Sequence, residues 1–253
     1  MKHTRNELLC SLLALGVAAG LSSCSTTPSA TVDAKAASVL QAMSDKLSAA
    51  KTLRVTASRE ASPGFHVGFD VAEKAKVSVA LQRPNKINAV SDSSLGKRLV
   101  SYDGSTVTFV DVKAGTHAQL KAEKDIDSTA RALENTYSVM PPLVELLANN
   151  PKAFLLEGVT GGESKGTEVV AGATCDHLAF KQAELSWELW VSTTDHLPKK
   201  MVITHPNGEG GAPLKVTLIV EKWELDAPVS AADLNLTLPK NSTRVEMIPL
   251  TNS

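Results

Sequence analysis

Cys175 and His177 stand two residues apart in Cys175-Asp176-His177, the thiol-plus-base pairing that covalent catalysis requires. The surrounding alternation predicts a strand. There, residues i and i+2 share one face about 6 to 7 Å apart with parallel side chains, so the ring does not reach the thiol and Asp176 points to the other side. A structural zinc site wants four ligands. This pair supplies two, and His205 is the one further histidine falling on a strand late in the chain. Cys175 therefore reads as a small, half-buried side chain. Gly161-Gly162-Glu163-Ser164-Lys165-Gly166 holds phosphate-loop residue types without the Gly-Lys-Ser/Thr order or a following helix, and is expected to form a hairpin turn. Neither a Gly-x-Ser-x-Gly elbow, a His-Glu-x-x-His pair nor a calcium loop occurs in the sequence. The residues give no ground for an enzyme, a cofactor or a metal.

Cys24 is different, because its neighbours specify a chemistry. Lys2 and Arg5 precede an apolar run from Leu8 to Leu21, the layout of a secretory signal and too short for the ~20 apolar residues of a spanning helix. The run ends in Leu21-Ser22-Ser23-Cys24, which resembles the lipobox of bacterial lipoproteins. Residues 1–23 are then a signal peptide, Cys24 the lipid attachment site, and 24–31 a short polar, Pro-containing tether. Each buried CH₂ contributes about 0.8 kcal/mol, so two or three acyl chains hold the protein at a membrane almost permanently. Ser25, rather than an Asp, follows the cysteine and points to the outer membrane. With Cys10 inside the removed run, Cys175 has no intrachain disulfide partner.

The elements that must position these groups begin at residue 32. A hydrophobic content of 43% suffices for a core, and a formal net charge of −1 gives no basic excess to suggest nucleic acid. From Asp33 to Lys51 apolar residues recur at three- and four-residue steps (Ala36, Val39, Met43, Leu47), which predicts an amphipathic helix. From Leu53 to about Leu120 the period falls to two, and Asp103-Gly104 marks a tight hairpin. Helical spacing returns at Ile126, Ala130, Leu133 and Tyr137 and again at Leu143, Leu146 and Leu147. After Pro151 strands resume to Trp223. On one of them Leu185, Trp187, Leu189 and Val191 share a face, with Ser186, Glu188 and Trp190 on the other.

Several segments resemble, in order, a family of predicted periplasmic proteins: Arg83-Pro84-Asn85-Lys86, Tyr102-Asp103-Gly104, Pro142-Leu143-Val144-Glu145-Leu146-Leu147, Cys175-Asp176-His177-Leu178-Ala179-Phe180, Trp187-Glu188-Leu189-Trp190 and Leu197-Pro198-Lys199-Lys200-Met201. That family is related to the lipoprotein-localisation carriers LolA and LolB. The resemblance implies a mainly β (α+β) fold over residues 32–253: a single curved, unclosed antiparallel β-barrel whose open face is covered by helices. It also implies an apolar hollow, and if the domain binds a ligand there, Val77, Val79, Leu81, Phe109, Leu178 and Trp187 on the strands are the residues expected to line it.

Two functions fit. The domain binds an apolar ligand such as an acyl chain, a lipid or a lipoprotein, or it is a non-catalytic interaction or envelope-sensing module whose core is filled by its own side chains. Its oligomeric state is left open.

Overall fold

The computed structural model describes residues 31–63, 71–206 and 211–250. The expected signal peptide, Cys24, the tether as far as Ala30 and most of the Pro206-to-Gly211 turn segment lie outside them. In chain order the elements are β1 (Thr31–Val32), α1 (Ala34–Ala49), β2 (Thr52–Ala61), β3 (Lys74–Gln82), β4 (Lys86–Ser93), β5 (Gly96–Tyr102), β6 (Thr106–Asp111) and β7 (Thr116–Lys121). Helices α2 (Ile126–Tyr137), α3 (Val144–Leu147) and α4 (Pro151–Leu155) follow. Then come β8 (Gly161–Val170), β9 (Ala173–Lys181), β10 (Ser186–Ser192), β11 (Pro198–His205), β12 (Leu214–Leu225), α5 (Ala231–Leu234) and β13 (Thr243–Arg244).

All strands join one 13-stranded sheet in the order β1-β8-β9-β10-β11-β12-β2-β3-β4-β5-β6-β7-β13. Two antiparallel meanders, β2 to β7 and β8 to β12, are fused where β12 pairs with β2. Consequently β7 ends near one edge of the sheet and β8 begins near the opposite edge. The chain between them must cross the whole sheet, and α2, α3 and α4 are what it carries across. Their apolar stripes meet the inward residues of the strands, so helices and sheet share a single core. Because β2 to β6 and β9 to β12 all feed that core, the sheet wraps around it; its edges do not pair with each other, so the barrel stays open.

Local chemistry fixes the element ends. The Asp33 carboxylate accepts from the Ala36 and Ser164 backbone N–H groups, each at 2.6 Å, capping α1 and tying it to β8. These bonds hold the Asp33 carboxyl below the usual carboxylate range. Asp103 accepts from the Ser105 and Thr106 N–H groups and closes the expected hairpin around Gly104, whose φ of 102° favours glycine. Arg83, just past β3, donates to the carbonyl oxygens of Leu47 (3.2 Å), Leu147 (3.0 Å) and Ala148 (2.8 Å) and to Asn149 Oδ1 (3.0 Å). One guanidinium thus joins the ends of α1, α3 and β3. Asp127, in the first turn of α2, accepts from the Asn149 and Asn150 N–H groups on the far side of the same junction.

Two expectations are corrected. The Gly161-to-Gly166 segment is the first half of β8, not a hairpin turn; the turn lies at Ala171-Gly172, both with positive φ. Gly162 is small because a Cβ there would overlap the Phe180 ring, which stacks on Trp187 with centroids 4.1 Å apart. Strands also do not resume directly after Pro151. That proline opens α4, where it costs no helix hydrogen bond, and the Asn150 side chain caps the turn by accepting from Ala153 N–H. The C-terminal segment adds cover that periodicity did not reveal. Through α5 it docks on β2 and β4, where Arg54 meets Asp233 at 2.6 Å and Asn88 donates to the Asp233 carbonyl. It then pairs with β7, and farther on Leu250 N–H donates to the Thr136 carbonyl of α2.

Candidate functional site

The period-two pattern turns Trp187 toward the core from β10, together with Leu189 and Val191, while Glu188 and Trp190 face outward, as expected. Trp187 forms one wall of an open cleft of about 280 Å³ between β10, β11 and the crossing helices. Leu185, Met201 and Ile203 continue the strand wall, and Met140, Phe154 and Leu155 face it from the helix side. Such a volume lies just under the ~300 to 1,000 Å³ of small-molecule pockets and suits a slender apolar segment.

The helices place carboxylates at this cleft as a by-product of their packing. On α2, Ile126, Thr129, Ala130 and Leu133 are buried, so Glu134 lies at the margin of the apolar stripe. On α3, Val144, Leu146 and Leu147 are buried, and Glu145 opens onto the cleft. Glu157, following α4, pairs with Arg131 at 2.7 Å, and the Arg131 guanidinium lies 4.8 Å over the Phe154 ring. Burial pushes the Glu145 carboxyl up to about 7, with the Glu134 charge adding to the rise and its own backbone N–H opposing it. Burial likewise raises Glu134, with Glu157 adding and Arg131 opposing.

Of the six residues expected to line a hollow, the structure brings one to this cleft. Val77, Val79, Leu81, Phe109 and Leu178 share the inward face but are packed beneath the helices at 0 to 4% exposure. Under α2, between Ile87, Val107, Ile126 and Val144, only about 10 Å³ is left. That part of the interior is filled by the protein's own side chains.

Cys175 and His177 share the outward face of β9, as the strand geometry requires, and make no bond to one another. The thiol is buried, its nearest polar partner is the Ala173 carbonyl at 3.5 Å, and burial pushes its pKa up. His177 instead lies between Glu168 (3.0 Å) and Glu188 (2.7 Å) and stacks on Trp190 at 4.1 Å. Lys200 covers the Trp190 ring at 4.1 Å, which explains why an outward tryptophan is only 4% exposed. Among the described residues no group of three or more His, Cys, Asp or Glu side chains is placed to hold a metal, and no helix is long and apolar enough to cross a membrane.

Comparison with solved structures finds the fold elsewhere. A conserved protein from Thermus thermophilus superposes with a TM-score of 0.51 at 11% identity, covering 84% of this chain and 99% of that one. The lipoprotein LppX of Mycobacterium tuberculosis gives 0.46 at 14% identity, with 78% and 98% covered. A LolA superfamily protein of Nitrosomonas europaea gives 0.38 at 9%, with 79% and 97% covered. No curated protein matches the chain. A family model matches residues 36–248, which spans α1 through the segment after β13. The chain belongs to that family, the predicted periplasmic proteins DUF2092.

Proposed function

We propose that the protein is a lipid-anchored periplasmic binding protein that takes part of an apolar molecule, such as an acyl chain of a lipid or lipoprotein, into the cleft beside Trp187. One observation carries this reading: a cleft open to solvent in which Leu185, Trp187, Met201 and Ile203 of the strand wall face Met140, Phe154 and Leu155 of the helix wall, with the polar side chains Glu134, Asn135, Glu145, Glu157 and Gln182 also lining it. The five packed residues Val77, Val79, Leu81, Phe109 and Leu178 become ligand contacts only if α2, α3 and α4 lift. The neutral fluorophore N-phenyl-1-naphthylamine should therefore bind and brighten. Ile203, half-buried on the strand wall, offers a way to close the cleft without burying a charge. Ile203→Trp should weaken probe binding about tenfold or more, roughly 1.4 kcal/mol, with little change in stability. Absence of any probe binding would sink the carrier reading and leave a self-filled interaction module.

The anchor belongs to the same proposal. Family membership supports a periplasmic location, and the Leu21-to-Cys24 motif supports acylation at Cys24, with Ser25 favouring the outer membrane. Metabolic labelling with a palmitate analogue should mark the wild type. Cys24→Ala should lose the label and leave the membrane fraction. A labelled, membrane-bound Cys24→Ala form would refute the anchor.

A further inference from the structure

We propose that the cleft opens onto the bilayer that holds the anchor, and that its occupant is an acyl chain of a phospholipid drawn directly from that leaflet. This rests on reading the cleft as a ligand site and Cys24 as the lipidated residue, and it names where the ligand comes from.

Place and reach decide the orientation. Thr31 lies opposite Gly161, the first residue of β8, and Gly161 lies opposite Lys181, the last residue of β9. Because β1 runs parallel to β8, the chain before Thr31 leaves past the start of β8, beyond this end of the sheet. The cleft is at the same end. Its strand wall comes from the turn after β9 (Gln182, Leu185), the start of β10 (Trp187) and the end of β11 (Ile203, opposite Trp187). Two bonds bring the helix side to this corner: Thr160 N–H donates to the Lys181 carbonyl at 2.8 Å, and the Gln182 side chain donates to the carbonyl of Glu157, an exposed residue of the cleft. Two strand spacings of about 5 Å and one residue step put Thr31 within roughly 15 Å of Gln182. The opposite end of the sheet is out of the anchor's reach. The seven residue steps from Cys24 to Thr31 span at most about 25 Å, however they are arranged. The 10 residues of β8 cover roughly 30 Å. Set against a bilayer, the Ala171-Gly172 and Thr193-Thr194 turns would hold Thr31 farther from the headgroups than that tether extends. The end with the cleft meets no such conflict, and an acyl chain entering there from the leaflet exposes few methylenes to water on the way.

Lipidated full-length protein in phosphatidylcholine vesicles tests both the orientation and the source. A fluorophore on Ala183→Cys, in the turn at the cleft rim, should be quenched by headgroup-spin-labelled lipid several-fold more than one on Thr194→Cys at the far end. Both sites are exposed, and the wild type with its buried Cys175 is the unlabelled control. A flexible Gly/Ser insert of about 20 residues between Ala30 and Thr31 should erase most of that difference. Phosphatidylcholine brominated along its acyl chains should quench Trp187, which lines the cleft, and Trp187→Phe should lose that part of the signal. Because the anchor raises the effective concentration of the leaflet, the soluble Cys24→Ala form should need about tenfold more lipid for the same quenching. Equal quenching at Ala183→Cys and Thr194→Cys, no quenching of Trp187, or equal lipid demand by the anchored and Cys24→Ala forms overturns the inference. Binding of N-phenyl-1-naphthylamine by Cys24→Ala then still upholds the cleft as a ligand site, and palmitate labelling still upholds the anchor. Failure of either of those overturns the reading beneath.

Discussion

Arg83→Ala should lower the free energy of unfolding by about 4 kcal/mol, because it strips hydrogen bonds from several buried acceptors at once. The guanidinium reaches the Leu47, Leu147 and Ala148 carbonyls and Asn149 Oδ1 from the end of β3. Those carbonyls belong to the ends of α1 and α3, where helices leave acceptors without intrahelical partners. Removing Arg83 leaves them dry and unpaired, at about 1 to 3 kcal/mol each before relaxation admits water. Burial lowers the Arg83 pKa while the Asp127 charge opposes the fall, and hydrogen bonds from a guanidinium are charge-assisted. Arg83→Lys should recover only part of the loss, since one ammonium cannot span the same fork of acceptors. Urea unfolding of the three forms would measure it. A midpoint for Arg83→Ala equal to that of the wild type would mean the junction is held elsewhere, with Asp127 the next group to test.

The Arg83 junction also shows what could be read from the sequence. Its motif, Arg83-Pro84-Asn85-Lys86, marks the resemblance, yet its purpose depends on α1 and α3 meeting there, which no local period encodes. Where an element answers to its own residues, the sequence shows it: the three- and four-residue steps of α1, the alternation of β2 to β7, the Asp103-Gly104 hairpin and the stripe of α2. Where a residue answers to a distant neighbour, it does not. Gly162 is small because of Phe180, so its glycine-rich surroundings look like a turn while forming a strand. Pro151 looks like a break because α4, at five residues, is far shorter than the window of about 11 residues over which a helical period shows. Alternation assigned Val77, Val79, Leu81, Phe109, Leu178 and Trp187 to one face. It could not say which of them the crossing helices leave beside an opening: all six are buried to a similar degree, and Trp187 alone among them lines the cleft. Glu145 stands as a carboxylate inside an apolar run, but that it opens onto the cleft depends on how α3 packs against the sheet.

Glu145→Gln should stabilise the protein, and by an amount that depends on pH. In the unfolded chain this carboxyl titrates near its ordinary 4.5, and in the folded protein burial pushes it up to about 7. Between those values the folded state binds more protons than the unfolded one, so stability falls as pH rises through the window and levels off above about 7. At about 1.4 kcal/mol per pH unit, ionising Glu145 inside the fold costs roughly 3 kcal/mol at pH 8 and almost nothing at pH 4. Glutamine keeps the volume and carries no charge, so urea unfolding should give a variant more stable than wild type at pH 8 and indistinguishable from it at pH 4. Equal stability at both pH values would show that the carboxyl is solvated after all.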